Sequence, residues 1–212
     1  MTDCIIFDLD GTIADTSAGI IATTQEAFRQ LGFPEISEEQ IRPTIGLVLE
    51  QSLQRAAGLT AELTIMAARK YREIFPEYGA SASTLFPGVA ETLAEFSSRG
   101  FRMAIATSRG RDSLEMIMAP YGIEKYFDDI VTATDGLAPK PAPDLVLALL
   151  ARMKQPAENT LVVGDTVFDI QMGAGAGCRT CGVSYGNQTE TQLRTASPDY
   201  IAGSFAGLLE IV

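Results

Sequence analysis

Two aspartates stand close together near the start of the chain, in Asp8-Leu9-Asp10-Gly11-Thr12, directly after the apolar run Cys4-Ile5-Ile6-Phe7. Carboxylates this near repel each other unless a cation or a proton intervenes. The pair suits metal binding, or a division of labour in which one acid stays ionised and its neighbour carries a proton. Gly11 permits a tight backbone path and Thr12 offers a hydroxyl and an amide, although a plain strand-to-helix turn uses the same residue types. A second acidic stretch, Gly164-Asp165-Thr166-Val167-Phe168-Asp169, follows the apolar Leu161-Val162-Val163. Asp169 falls in the first turn of the next helix, where the helix dipole favours an anion, so simple capping accounts for it equally well. The chain has no histidine, which excludes His-ligated metals, Ser-His-Asp triads and Cys-His dyads. Converging acids without histidine select a hard, oxygen-loving cation such as Mg²⁺, ahead of Ca²⁺, whose EF-hand spacing is missing.

Two further segments offer groups for an anion. Thr107-Ser108-Arg109-Gly110 closes the apolar run Met103 to Ala106, and a strand-end hydroxyl followed by a helix start suits an anionic oxygen. Ser108 and Arg109 serve as well in a helix N-cap. Lys140 lies in Ala138-Pro139-Lys140-Pro141-Ala142-Pro143-Asp144, where flanking prolines stiffen the backbone and fix the point at which the lysine emerges.

The elements that must position these groups alternate. Cys4 to Phe7, Met103 to Ala106, Ile130-Val131, Leu161 to Val163 and Thr180 to Val183 are apolar runs without polar alternation, as expected of strands buried on both faces of a parallel sheet. Helical patterns at Val89 to Arg99, Ser113 to Tyr121, Asp144 to Met153 and Phe168 to Ala176 separate them. This order predicts an α/β fold, a Rossmann-like open parallel sheet, with ligands beyond the carboxyl ends of the strands. One stretch, 16–82, breaks the alternation and is helical throughout. Ile20, Thr24, Ala27 and Leu31 share a face, Gly32-Phe33-Pro34 ends that helix, and Ser37 with Glu38-Glu39 starts another. Leu47 to Ala57 and Ala61 to Phe75 make two more, and Tyr78 to Thr84 reads as a loop. The expected division is a catalytic core of 1–15 and 83–212, with 16–82 a helical cap domain over its active edge.

Composition narrows the partners. The 212 residues are 46% hydrophobic and 20% charged, which supports a packed core rather than disorder. A formal charge of −11 repels nucleic acid and anionic membranes. No signal peptide or membrane span is legible, so a cytoplasmic, soluble protein is expected. Cys4, Cys178 and Cys181 are too few and too unevenly spaced for a disulfide framework. Cys178-x-x-Cys181 leads into a strand rather than opening a helix, and both read as core cysteines. Asp15-Thr16-Ser17 reads as a helix cap.

Taken in order, Asp8-x-Asp-Gly-Thr12, the strand-end Thr107, Lys140 and Gly164-Asp-x-x-x-Asp169 resemble the four motifs of the haloacid dehalogenase-like superfamily of phosphotransferases. Phe86-Pro87-Gly88-Val89, Lys140-Pro-Ala-Pro-Asp144 and Gly173-Ala-Gly-Ala-Gly177 look like its phosphoglycolate phosphatase-like branch. The resemblance implies that Asp8 attacks phosphorus to give an aspartyl-phosphate. Asp10 then protonates the leaving oxygen and later activates water. Mg²⁺ is held by Asp8, the main chain of Asp10 and Asp165, with Asp169 acting through water or behind the ligands. Thr107, Ser108 and the backbone from Leu9 to Gly11 hold phosphate oxygens, and Lys140 stabilises the phosphoryl group. An acid at Asp10 points to phosphate esters rather than to dehalogenation or phosphonate cleavage; the lone lysine of the insertion, Lys70, reads as solvated rather than as a phosphonatase lysine. Substrate choice falls to Arg42-Pro-Thr-Ile-Gly46-Leu47, where Arg42 can bind a substrate carboxylate and Gly46 gives close approach. The expected partner is a small phosphorylated metabolite, and the expected assembly a monomer or weak homodimer. A β-phosphoglucomutase-type transferase and a pyrophosphatase fit the same core; a phosphate-accepting signalling module fits less of it.

Overall fold

The structure, a computed structural model, describes residues 2–212. Six parallel strands form one sheet: β1 (Cys4–Phe7), β4 (Arg102–Ala106), β5 (Asp129–Val131), β6 (Thr160–Gly164), β7 (Arg179–Val183) and β8 (Tyr200–Ala202). Their spatial order is β5-β4-β1-β6-β7-β8. The predicted apolar runs are there, and the reason for their lack of alternation is visible. Ile5 and Phe7 point into one apolar cluster with Ile105, Leu161 and Val163, while Cys4 and Ile6 point into another with Ala104, Ala106 and Val162. Successive side chains face opposite layers, and both layers are dry.

Between the strands lie α5 (Val89–Ser98), α6 (Arg111–Met118), α7 (Asp144–Met153), α8 (Val167–Gly175) and the short α9 (Glu190–Leu193). The chain leaves β1 for β4 on one side and later returns through β6 on the other. This reversal at the central strand opens a crevice beyond the carboxyl ends. Phe7 is in register with Ile105 of β4 and Val163 of β6. The residues that leave these strands therefore emerge side by side.

The insertion begins and ends on a pair of short antiparallel strands, β2 (Ala14–Asp15) and β3 (Thr84–Leu85), which two-residue runs could not announce. Between them stand α1 (Ser17–Leu31), α2 (Glu38–Ile41), α3 (Leu49–Ala57) and α4 (Ala61–Tyr78). The insertion has its own apolar cluster around Ile21, Phe28, Ile41 and Leu53. The stripe that α1 buries is Ile21, Thr24 and Phe28 with Ala27, so the expected face is rotated and Ile20 and Leu31 are only half-buried. Helix α4 runs on through Pro76 to Tyr78, and residues 80–82 form a turn of 3-10 helix where a loop was expected. Tyr71, Ile74 and Phe75 of α4 join the main core instead of the insertion's own cluster. Among the described residues no helix is long and apolar enough to cross a membrane.

Candidate active site

Asp8, Thr107 and Asp165 are each the first residue beyond β1, β4 and β6. The register of three neighbouring strands brings them to one place. Asp8, Asp165 and Asp169 each offer a carboxylate oxygen within 4.8 Å of the others, and all three are buried. Lys140 is buried among them and donates to Asp8 Oδ1 and Asp169 Oδ1, both at 2.6 Å. Burial opposes the lysine's charge, but Asp169 and Asp8 outweigh it and hold its pKa above the ordinary lysine value.

The acids divide by what their oxygens touch. Asp169 has none to spare: Oδ2 accepts from the Thr166 amide at 3.0 Å and the Thr166 hydroxyl at 2.6 Å, and Oδ1 takes Lys140. It positions the lysine and closes a capping box at the start of α8. Asp165 Oδ2 accepts from the amide and the side chain of Asn187, at 2.7 and 2.8 Å. Asp8 Oδ2 and Asp165 Oδ1 are buried with no hydrogen-bond partner. Orphaned carboxylate oxygens in a dry site are costly, and a hard divalent cation is the partner whose chemistry fits them. The charge balance agrees. Burial raises the Asp8 pKa well above the ordinary value, and Asp169, Asp165 and Asp10 add to this against the pull of Lys140. Burial, with Asp169 next, pushes Asp165 up to about 7.

Asp10 turns away from this cluster. Arg109 grips it side-on, with Nη2 at 2.6 Å from Oδ1 and Nε at 3.0 Å from Oδ2, and the Thr16 hydroxyl donates to Oδ1 at 2.5 Å. Burial works to raise the Asp10 pKa, but the charge and hydrogen bonds of Arg109, then Thr16, prevail and hold it below the ordinary value. Asp10 has an arginine to itself, whereas Asp8 shares its lysine with Asp169. The Arg109 guanidinium lies 4.7 Å from the Phe75 ring centre, which ties the core loop to α4 of the insertion.

The other expected residues fall as follows. Thr107 is buried and its hydroxyl accepts from the Arg109 amide at 3.1 Å. Ser108 donates to the Gly46 carbonyl at 2.7 Å, joining core to insertion, and both line the same cavity as Asp8 and Asp10. The Leu9 side chain is in the core, so only its main chain can serve a phosphate. The Gly11 amide is already taken by the Ala14 carbonyl at 2.8 Å, which corrects its expected role as a donor. Gly11 supplies room instead: its φ is +81°, and a Cβ there would stand 2.0 Å from Asp165 Oδ2. Arg42 is not brought to the site; it is exposed, pairs with Glu38 one turn away and lies outside the cavity lining. Thr16 sits at the helix start but makes no side-chain cap, since its hydroxyl serves Asp10; Asp15 receives the local bond from Ser17 instead. Cys178 and Cys181 are free and buried, and burial pushes both thiols up to about 12.

Sequence reasoning missed Asn187 and the pairing of Arg109 with Asp10. Asn187 lies in Ser184-Tyr-Gly-Asn-Gln188, a loop with no charge or motif to mark it. Arg109 did carry a signal, an arginine directly beyond a strand-end hydroxyl, but nothing in the chain order ties residue 109 to residue 10.

Comparison with known proteins gives a consistent result. Residues 5–183 match the model of the haloacid dehalogenase-like hydrolases. Over 210 residues the chain is 36% identical to a protein of Dickeya dadantii (strain 3937) named "Probable phosphatase IndB", covering 97% of this chain and 91% of that one. It is 32% identical over 216 residues to a phosphoglycolate phosphatase of Vibrio parahaemolyticus, covering 98% and 95%. A solved haloacid dehalogenase-like family hydrolase from Streptococcus pneumoniae superposes with a TM-score of 0.87 at 28% identity, over 99% of this chain and 98% of that one.

Proposed function

This chain belongs to the haloacid dehalogenase-like hydrolase family and is a phosphatase, and we propose that it cleaves a small phosphomonoester with Mg²⁺, through an aspartyl-phosphate on Asp8. The observation that carries this reading is the pair of buried, unpartnered oxygens, Asp8 Oδ2 and Asp165 Oδ1, beside a buried lysine. They would hold the metal together with the main-chain carbonyl of Asp10, whose side chain is occupied elsewhere. When bound, the metal supplies positive charge for the acids and for the phosphate dianion.

The residues of the chain do the rest. Lys140 keeps Asp8 in place through Oδ1 and lends charge to the phosphoryl oxygens. Thr107 and the amides of Leu9 and Asp10 face those oxygens from the ends of β4 and β1. Asp10 gives a proton to the leaving alcohol, and its ionised form then takes one from water that attacks the aspartyl-phosphate. The proton-donating step requires Arg109 to loosen its grip, since a carboxylate held by two guanidinium hydrogen bonds stays charged. Residues 16–82 act as a cap: Ser108 to Gly46 and Arg109 to Phe75 latch it to the core and exclude water. Three unpaired, buried thiols agree with a reducing, cytoplasmic location.

Asp8→Asn keeps the shape of the side chain and removes the nucleophile. We expect phosphatase activity to fall below about one thousandth, with an unchanged circular dichroism spectrum. Activity above a few per cent would remove Asp8 from this role. Excess chelator should stop wild-type turnover and Mg²⁺ restore it; full activity in chelator contradicts the metal assignment.

A further inference from the structure

One loop holds Asp165 from behind. Asp165 is fully buried, and its Oδ2 accepts from the main-chain amide of Asn187 at 2.7 Å and from the Asn187 side chain at 2.8 Å. The loop is itself tied on both sides of Asn187. The Tyr185 hydroxyl donates to the Thr12 carbonyl at 2.8 Å, and Gln188 Oε1 accepts from the Val167 amide at 2.8 Å, at the start of α8. Its approach leaves no room for a side chain at residue 186. A Cβ on Gly186 would stand 2.3 Å from the Gly11 carbonyl oxygen and 2.4 Å from Asp165 Cβ.

Held in this way, the acid presents one oxygen and not two. Oδ1 is buried with no hydrogen-bond partner, whereas Oδ2 is engaged by two donors. Asp8 is in the same state, since Lys140 takes Oδ1 and leaves Oδ2. The number of oxygens on offer distinguishes hard cations. Mg²⁺ is small, keeps several of its waters and binds through one or two carboxylates. Ca²⁺ is larger, collects about six to eight oxygens, and gains from carboxylates that can turn to offer both. A carboxylate pinned by its second oxygen therefore favours the smaller ion, and one free to turn favours the larger. Donors behind a metal-binding acid also set how tightly the ion is held.

Resting on the metal-dependent reading above, we propose that Asn187 is a positioning residue that keeps Asp165 a one-oxygen ligand and so selects Mg²⁺ over Ca²⁺. It acts through Asp165 and is not itself a ligand. The test measures binding rather than turnover. Mn²⁺ is added to the metal-free chain, its free fraction is read by electron paramagnetic resonance, and Mg²⁺ or Ca²⁺ is titrated in to displace it. Asp165→Asn gives the background from surface acids. Asn187 is half-buried, so Asn187→Ala removes the side-chain donor with little loss of packing, and circular dichroism checks the fold. Asn187→Ser, whose hydroxyl is too short to reach Oδ2, repeats the test should the alanine variant not fold. We expect either variant to weaken Mg²⁺ by about ten-fold and Ca²⁺ by much less, so that the preference for Mg²⁺ narrows several-fold. Gln188→Ala loosens the same loop at α8 without removing a bond to Asp165, and should leave the ratio as it is. An unchanged ratio in the Asn187 variants, whether both ions weaken equally or neither does, overturns the proposal and leaves the metal site standing. So does an equal shift of the ratio in Gln188→Ala. Wild-type binding no stronger than that of Asp165→Asn removes the metal site, and the proposal with it.

Discussion

Arg109 sets the charge of Asp10 and, on the proposed mechanism, the pH at which a leaving alcohol can be protonated. Its guanidinium donates to both carboxylate oxygens, and it is itself only 7% exposed, so solvent screens the pair little. The sign of its effect is fixed: a neighbouring cation lowers an acid's pKa, and Asp10 is held below the ordinary value. Arg109→Met keeps an unbranched side chain against Phe75 and removes the charge. Asp10 then holds its proton to higher pH. For an alkyl phosphate, whose alkoxide needs that proton, the alkaline fall in kcat/KM should move up by about one pH unit. A pH–rate profile of the variant checks this, and an unmoved limb would separate Arg109 from proton transfer. Asp8, Asp165 and Lys140 were legible in the sequence because each stands in a motif whose spacing is local. The Arg109–Asp10 and Asn187–Asp165 contacts were not, because each joins residues from separate loops that only the sheet order brings together.

At the scale of elements, precision at the site depends on how closely α8 lies on the sheet. Asp169 rides in the first turn of this helix, and Gly173 faces the strands one turn later. A Cβ on Gly173 would stand 2.7 Å from Val162 Cβ and 2.8 Å from Thr180 Cγ2, both on rigid strands. Gly173→Ala must lift the helix, and overpacking of this kind costs about 1–3 kcal/mol. Urea unfolding should register that loss, and kcat should fall as well, since the shift carries Asp169 away from Lys140. Retained stability and activity would mean that the helix adapts without moving its first turn. The strands and helices of the core were readable because burial on both faces leaves uninterrupted apolar runs. The edge strand β8 and the pair β2–β3 were not, because runs of two or three residues carry no periodicity. The start of α3 shows the same limit: apolar residues from Leu47 onward look helical, but Leu47 and Val48 belong to the loop lining the cavity.

For the molecule as a whole, the buried acids of the site are a load on folding, one that the proposed cation would relieve. Asp165 is raised from the ordinary 3.8 to about 7, and Asp8 moves in the same direction. Between those values the folded chain holds protons that the unfolded chain has released, so stability falls as pH rises through that window. The other shifted groups near the site act outside it. Asp10, with a depressed pKa, adds stability that is lost only in more acid solution, and Lys140, with a raised one, adds stability that is lost only in more alkaline solution. No histidine titrates in this range. The metal-free protein should therefore show a Tm that declines from pH 5 to pH 8. Millimolar Mg²⁺ should flatten that decline by binding the ionised acids, and the stabilisation should grow with pH. Asp165→Asn should raise the metal-free Tm at pH 8 and abolish most of the Mg²⁺ response. Differential scanning calorimetry at a series of pH values, with chelator or with Mg²⁺, measures all three. A metal-free Tm that is level or rises across this range would mean that the buried acids are neutralised by something other than a divalent cation.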